Sequence, residues 1–326
     1  MNSSGHTRPL VAILGPTASG KSALGVWIAE RFCGEVVACD STQLYRGFDI
    51  GTAKPATQER RAVAHHMLDV LESGQESSAG GYRELALAAL NDLRARQKLP
   101  VLTVGTGLYL RALLEGLAEL PRRSEELRER LRDEAAEHGR GYLHGMLQNL
   151  DPAAAKRIAA GDEQKLIRAI EVCLLASKPL TELHQSGKIP LEGWNVLKIG
   201  LEPARKKLYE RIEARTEAML AAGWLEEVRD LLERSQSAQA KPFDFLGYAE
   251  LRRVCTGQMT MQEAREAIQQ ATRRYAKRQI TWFRSESQVH WLDGFGDESS
   301  VQSAALDWLR KQGLEASRDA GPTGVY

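Results

Sequence analysis

The sequence predicts an α/β protein built on a parallel, doubly wound sheet with a helical insertion, and three observations predict it. A short apolar run, PLVAIL at residues 9–14, leads into the glycine-rich GPTASGKS of residues 15–22 and then into a helix-spaced segment. Two more apolar, β-branched runs, at 35–39 and 100–104, end in Asp40 and in Gly105-Thr106-Gly107, with helix-compatible sequence between them. From about 121 to 187 the texture changes to charged helical runs. Strands alternating with helices build parallel sheets, whose ligand crevice lies beyond the carboxyl ends of the strands.

The first strand and its turn carry the sharpest signal. GPTASGKS fits the phosphate-gripping pattern G-x-x-x-x-G-K-[ST] residue for residue, and the strand before it and the helix over 20–32 after it supply the required context. Successive backbone N–H groups point inward, Lys21 adds a point charge, and Ser22 can ligate magnesium at the start of a helix whose dipole favours anions. Gly15, Pro16, Thr17, Ala18, Ser19, Gly20, Lys21 and Ser22 are therefore the candidate phosphate grip.

The second strand delivers CDSTQLYRGFDIGTAKP, which puts Asp40, Ser41 and Gln43 at the crevice mouth. Asp40 can hold magnesium, act as a general base, or cap the next turn. The third strand presents Thr106, whose hydroxyl can bond a substrate amine or a phosphate oxygen, although Gly-Thr-Gly is also an ordinary strand-to-helix turn.

Within the insertion, Asp151-Pro152 reads as an N-cap followed by proline at the first helical position. The segment DEQKLIRAIEVCLL sets Leu166, Ile167, Ile170 and Leu174 on an apolar face and Gln164, Lys165, Arg168 and Glu171 on a solvated one. NVLKIGL at 195–201 returns as a strand, and helices follow at 203–221 and 224–234. Arg211 and Arg215 lie four apart on the first of these, suited to ion pairs with nearby glutamates or to a diphosphate. Thr260 and Glu263 form a capping box that opens a helix running to Arg284, and 288–292 reads as a last short strand.

That long helix carries ATRRYAKRQITWFR, where Arg273, Arg274, Lys277, Arg278 and Arg284 interleave with Tyr275, Trp282 and Phe283 and no acidic residue intervenes. Cations for phosphates beside aromatic faces for bases mark a nucleic-acid surface. A helix with a basic outer face and aromatic core contacts gives the same pattern. The expected division is a core over 1–116, the helical insertion over 117–194, the second part of the core over 195–312, and a frayed tail over 313–326.

Composition narrows the class without choosing the chemistry. With 43% apolar and 27% charged residues the 326-residue chain reads as soluble and globular. Its 44 Lys and Arg balance 43 Asp and Glu, so only the local distribution of charge speaks about partners. Cys33, Cys39, Cys173 and Cys255 form no C-x-x-C pair and have no histidine at zinc spacing, which disfavours a metal finger and a disulfide framework and suits thiols in a reducing compartment. The apolar run Leu10 to Leu14 is too short for a signal peptide, and no stretch approaches the roughly 20 apolar residues of a membrane helix. A cytoplasmic protein without a membrane partner is expected.

Taken in order, GPTASGKS, DSTQLYRGFDIGTAKP, VGTGLYLRALLEGL, the helices from Asp151-Pro152 to Val172, EPARKKLYERIEAR, FLGY and AKRQITWFR resemble the bacterial tRNA dimethylallyltransferases, also called tRNA isopentenyltransferases, over roughly residues 8–293. The resemblance implies a P-loop NTPase-like core whose loop grips dimethylallyl diphosphate rather than a nucleotide, and an insertion that clamps tRNA. It implies transfer of the prenyl group to the exocyclic amine of the adenosine immediately 3′ of the anticodon. Asp40 would be the base, with Thr106 bonding the amine, and Lys21, the loop, Mg²⁺ on Ser22 and Asp40, and Arg211 or Arg215 would steady the diphosphate. By the same resemblance tRNA would meet Asp40, Ser41, Thr42, Gln43, Thr106, Arg128, Gln164, Lys165, Leu166, Ile167, Arg168, Gly247, Tyr248, Arg273, Arg274, Lys277 and Arg278. A monomer is expected.

Three positions depart from the family pattern: Lys165 stands where arginine is usual, and Leu246 and Ala249 flank Gly247-Tyr248 where a β-branched and a basic residue are usual. The competing readings are a small-molecule kinase, which has no need of the basic aromatic stretch, and a non-catalytic RNA-binding protein, in which Asp40 would be dispensable.

Overall fold

The computed structural model describes residues 7–118, 120–185, 187–234 and 240–315, so the expected tail lies, from 316 onward, outside the described residues. The chain divides into two compact units, Met1–Leu113 with Glu192–Tyr326, and Leu114–Leu191.

In the first unit, β1 (Arg8–Leu14), β2 (Gly34–Cys39), β4 (Leu99–Val104) and β5 (Trp194–Leu201) are the apolar runs of the sequence. Leu10, Val11, Ala12, Ile13 and Leu14 are all fully buried, as expected of a parallel strand covered on both faces. Between β2 and β4 lie α2 (Thr57–Arg60), the two-residue β3 (His65–His66) and α3 (Ala79–Ala95). β6 (Val289–Leu292) closes the far edge, giving a six-stranded, all-parallel sheet in the order β3-β2-β4-β1-β5-β6. β3 was not predicted, because two residues are too few to show a period.

α1 (Lys21–Arg31) and α14 (Ser299–Lys311) cover one part of the sheet, with Leu24, Ile28, Ala305 and Leu309 packed among Val11, Ile13 and Ile199. The chain leaves β1 toward β2 on one side and returns at β5 on the other, so the strand order reverses beside β1. That reversal places the crevice at the ends of β1, β2 and β4.

Glu35, at the opposite end of β2, is 7% exposed and held by the Arg96 fork at 2.5 and 2.9 Å and by His66 at 2.7 Å. These partners, Arg96 first, pull its carboxyl from the ordinary 4.5 down to about 2. A depressed carboxyl stabilises the fold above its unfolded pKa and loses that contribution as pH falls through the folded one. Glu35→Gln is therefore expected to lower the thermal midpoint at neutral pH, with the gap to wild type closing between about pH 4.5 and pH 2. A gap that stays constant through that window would contradict the assignment.

The second unit is helical: α5 (Glu125–His138), α6 (Tyr142–Leu150), α7 (Pro152–Ala155), α8 (Glu163–Ala176) and α9 (Leu180–Gln185). It begins in the last turn of α4 (Gly107–Glu115). Asp151 caps α7 through Ala154 N at 2.9 Å, and its other carboxylate oxygen accepts from Thr181 N at 2.8 Å, so one buried side chain ties two helix starts. Leu131, Leu143, Leu147, Leu166, Ile167 and Ile170 form the core.

Two expectations about α8 are corrected. Glu171 is fully buried rather than solvated, and Leu174 is 39% exposed rather than packed. The Glu171 carboxylate earns its place by accepting from Ser124 N at 2.7 Å and from Arg168 at 2.6 Å, with Arg128 Nε 3.3 Å away.

The first unit resumes with α10 (Arg205–Ala221), α11 (Trp224–Arg234), a 3₁₀ turn (Lys241–Asp244), α12 (Tyr248–Cys255) and α13 (Met261–Arg284). The capping box that opens α13 is present, Glu263 N donating to Thr260 Oγ1 at 3.2 Å and Thr260 N to Glu263 at 2.8 Å.

Candidate active site

The phosphate loop runs from the end of β1 to the start of α1. Within it Ala18 adopts φ 64°, a left-handed conformation that costs energy for a residue with a Cβ and is common where a loop is shaped for a ligand. Lys21 Nζ donates to the Gly15 and Pro16 carbonyls at 2.9 and 2.8 Å. Burial pulls the Lys21 ammonium down to about 7, against the attraction of Asp40 and with the repulsion of Arg215. Ser19 Oγ is buried without a hydrogen-bond partner, a donor left for an anionic oxygen. The loop is braced from outside by Gly296 N, which donates to Ser19 O at 2.9 Å.

Asp40 sits where β2 ends. Its Oδ1 accepts from Thr42 N at 2.9 Å and Thr42 Oγ1 at 2.7 Å, which fixes the carboxylate's direction. Its Oδ2 lies over Gly105, where an added Cβ would be 1.9 Å away, so only glycine admits the carboxylate there. Gly105 N and Thr106 N both donate to Cys39 O at 3.0 Å, and Thr106 Oγ1 accepts from Ser41 N at 3.0 Å and donates to Ser41 Oγ at 3.2 Å. The turns after β2 and β4 are thereby one hydrogen-bonded piece. Burial pushes the Cys39 thiol beneath it up to about 12, so it is a neutral packing group.

The loop after Asp40 folds around a buried cation. Lys54 Nζ meets Asp49 at 2.7 Å, Asp69 at 2.5 Å and the Tyr45 carbonyl, and Gln43 Nε2 donates to the Thr52 and Ala53 carbonyls at 3.2 and 3.1 Å. This closes residues 40–55 into a compact surface beside the crevice.

The two arginines of α10 part company. Arg211 forms a two-pronged pair with Asp297 at 2.8 and 2.9 Å and lies over the Phe295 ring. Arg215 faces Thr17 Oγ1 at 3.5 Å, its guanidinium held below its ordinary value by burial and by Arg211.

On α13, Gln279 reaches both turns, accepting from Thr17 N at 2.7 Å and donating to Gly105 O at 2.8 Å. Tyr275 OH donates to the same carbonyl at 3.2 Å, and Arg278 lies over the Tyr275 ring.

These groups enclose a cavity of about 660 Å³. Lys21, Ser22, Asp40, Arg215 and Gln279 line its polar part, and Met219, Trp224, Phe245, Leu246 and Ile268 its apolar part. Trp224 fits against Gly247, which has φ 88° and whose added Cβ would be 2.0 Å from the indole. A phosphate-gripping loop, a carboxylate and an apolar recess in one cavity can hold a diphosphate ester and activate a nucleophile against it.

Of the residues expected at the site, Thr17, Ala18, Ser19, Gly20, Lys21, Ser22, Asp40, Ser41, Thr42, Gln43, Arg211, Arg215 and Arg278 line this cavity. Gly15 and Pro16 serve through the carbonyls that hold Lys21, and Thr106 through Ser41. Arg274 and Lys277 are exposed on α13, and Arg273 pairs with Glu213 at 2.7 Å. In the second unit Gln164 and Lys165 are exposed, the latter paired with Asp162.

Four residues expected to meet tRNA have buried or nearly enclosed side chains. Leu166 and Ile167 are 1% and 3% exposed in the core of the second unit, and Tyr248 is fully buried with its hydroxyl on Glu227 at 2.6 Å. Arg128 is nearly enclosed, at 12% side-chain exposure, because it serves Glu171.

The sequence reading did not single out Gln279, Lys54, Asp297 or the buried role of Glu171. Gln279 was the most detectable: it lies three residues from Ala276 and four from Phe283, on the buried face of α13.

Among the described residues no group of three or more His, Cys, Asp or Glu side chains forms a metal cluster, and no helix is long and apolar enough to cross a membrane.

Residues 43–286 match the family model described as IPP transferase. A tRNA dimethylallyltransferase of Koribacter versatilis is 49% identical over 301 residues, which are 92% of this chain and 98% of that protein. The crystal structure of a full-length tRNA isopentenylpyrophosphate transferase from Bacillus halodurans is similar at TM-score 0.68 and 33% identity, over 94% of this chain and 97% of that one. A eukaryotic dimethylallyltransferase acting on tRNA has the same fold, with TM-score 0.80 at 23% identity over 97% of this chain and 82% of that one.

Proposed function

The chain belongs to the IPP transferase family, and from that premise we propose that it transfers the dimethylallyl group of dimethylallyl diphosphate to the exocyclic N6 amine of the adenosine immediately 3′ of a tRNA anticodon. The observation that carries this reading is the sharing of one cavity by the phosphate loop, at Lys21 and Ser22, and by the Asp40 carboxylate.

An aryl amine is a weak nucleophile, so its proton must leave as the new bond forms. Asp40 takes that proton while the C–N bond forms and the C–O bond to diphosphate breaks, the electron pair leaving with the diphosphate. Thr42 aims the carboxylate, and Thr106 holds Ser41, whose hydroxyl lines the cavity and would bond the amine. Lys21, the loop N–H groups, Ser19 and Arg215 take up the charge of the departing diphosphate. The apolar recess of Trp224, Phe245 and Leu246 suits a five-carbon tail.

Ser22 and Asp40, a hydroxyl and a carboxylate lining the same cavity, are hard oxygen donors of the kind that Mg²⁺ accepts when phosphate oxygens and water complete its shell. Bound there, Mg²⁺ would neutralise diphosphate charge, held by Ser22 through one oxygen and by Asp40 through one carboxylate oxygen, the other being left to take the proton.

The target adenine leaves its stack to enter the cavity. Arg278, Lys277 and Arg274 on α13 and the 40–43 stretch would receive the RNA beside it, and Gln164, Lys165 and Arg168 of the second unit would clamp the anticodon arm. A tRNA substrate supports a cytoplasmic location, and a monomer is the expected state. The test is diphosphate release from dimethylallyl diphosphate. Release that requires unmodified tRNA and Mg²⁺ is expected, and turnover of ATP in its place would overturn the reading in favour of a kinase.

A further inference from the structure

The reaction needs the donor carbon and the amine in near-attack contact, yet the parts that hold them belong to different strands. The leaving group is gripped by the loop after β1, and the Asp40 carboxylate rests on Gly105 in the turn after β4. We propose that Gln279 is the strut that sets the spacing between these two half-sites, a positioning residue that rests on the transferase reading above.

Gln279 is 6% exposed, and its amide makes one bond with each half-site: Thr17 N donates to its Oε1 at 2.7 Å, and its Nε2 donates to Gly105 O at 2.8 Å. A backbone N–H can only donate and a backbone carbonyl can only accept, so both ends of the amide are oriented by their partners. Side chains of the same length and shape do not meet the pair in this way. Glutamate turns an oxygen toward the Gly105 carbonyl, and methionine of similar length bonds neither end. The partners are backbone groups on the two strand-end turns, so a shift of Gln279 moves the loop that carries Lys21 relative to the turn that supports Asp40.

The same helix shows Lys277 and Arg278 to solvent within two residues of Gln279. RNA drawn onto those cations therefore bears on the helix that fixes the donor loop. Tyr275, one turn earlier, donates to the same Gly105 carbonyl at 3.2 Å and gives the acceptor-side turn a second tether to α13, while the Thr17 bond is made by Gln279.

The test compares wild type with Gln279→Met and Gln279→Glu in the full chain, measuring prenyl transfer to unmodified tRNA at saturating Mg²⁺, with rates taken per active site from a single-turnover burst. A misplacement of about 1 Å costs up to about a hundredfold in rate, so both variants are expected to lose about tenfold or more in kcat. The KM values for dimethylallyl diphosphate and for tRNA should stay within about twofold, because both ends of the Gln279 amide are already engaged by Thr17 N and Gly105 O and are not needed as substrate contacts. A residue that only supports the fold would lower the thermal midpoint and the fraction of active protein but leave kcat per active site at the wild-type value. That result in both variants would overturn the proposal. Should the methionine variant fail to fold, the glutamate variant, which keeps the Thr17 bond, decides alone. A wild type that makes no prenylated RNA would overturn the transferase reading and the strut together, whereas an active wild type with equally active variants overturns the strut alone.

Discussion

Asp40→Asn is expected to lower kcat about a thousandfold while tRNA affinity stays within about threefold of wild type. Asparagine keeps the shape of the side chain and an oxygen for the Thr42 N–H, so the strand end and its loop should hold their form. What it removes is the acceptor for the amine proton. The tight seat against Gly105 leaves no room for another side chain to approach from that direction. The variant separates the readings cleanly, because a non-catalytic RNA-binding protein would tolerate the change and a transferase would not. Loss of rate and of RNA binding together would mean instead that Asp40 organises the 40–55 loop for RNA and is not the base.

Lys21→Met should lower kcat by about 10²–10³-fold, the usual cost of removing a charge placed where negative charge develops. The ammonium now caps two loop carbonyls, so diphosphate arriving in the loop exchanges those contacts for a stronger, charge-assisted pair. A higher KM for dimethylallyl diphosphate and an unchanged dissociation constant for tRNA are expected in steady-state kinetics and filter binding. A variant with wild-type kcat would show that the loop N–H groups and Arg215 carry the leaving group unaided. Lys21→Arg should not rescue, since a planar fork cannot make the paired contacts to the Gly15 and Pro16 carbonyls that fix the point charge in the loop.

What could be read from the sequence follows from how local its cause was. β1, β2 and β4 were legible because buried parallel strands are continuous apolar runs, and Asp40 was legible because it follows one of them directly. Lys21 and Ser22 came from a contiguous motif. Arg211 and Arg215 looked alike on one helix face, and only Asp297, 86 residues further on, distinguishes them by taking the first. Glu171 looked solvated because its helical spacing matched a polar face. Its burial depends on Arg128 and the Ser124 N–H, 47 residues away in the case of Ser124, and no local pattern carries that information. Leu166 and Ile167 were assigned to RNA by motif position although their spacing marked them as core, and the hydrophobic pattern was the better guide. Gln279 was missed because it lay inside a stretch read for its charges.

The most direct test of the account is the identity of the nucleoside made. Purified protein is incubated with Mg²⁺, dimethylallyl diphosphate and an unmodified tRNA carrying adenosines beside its anticodon, and the digested RNA is analysed by mass spectrometry. The account predicts a dimethylallyl group on the N6 amine of the adenosine immediately 3′ of the anticodon, absent when Asp40→Asn replaces the wild type. Unmodified adenosine at that position, under conditions where ATP is hydrolysed or its phosphate transferred, would contradict it.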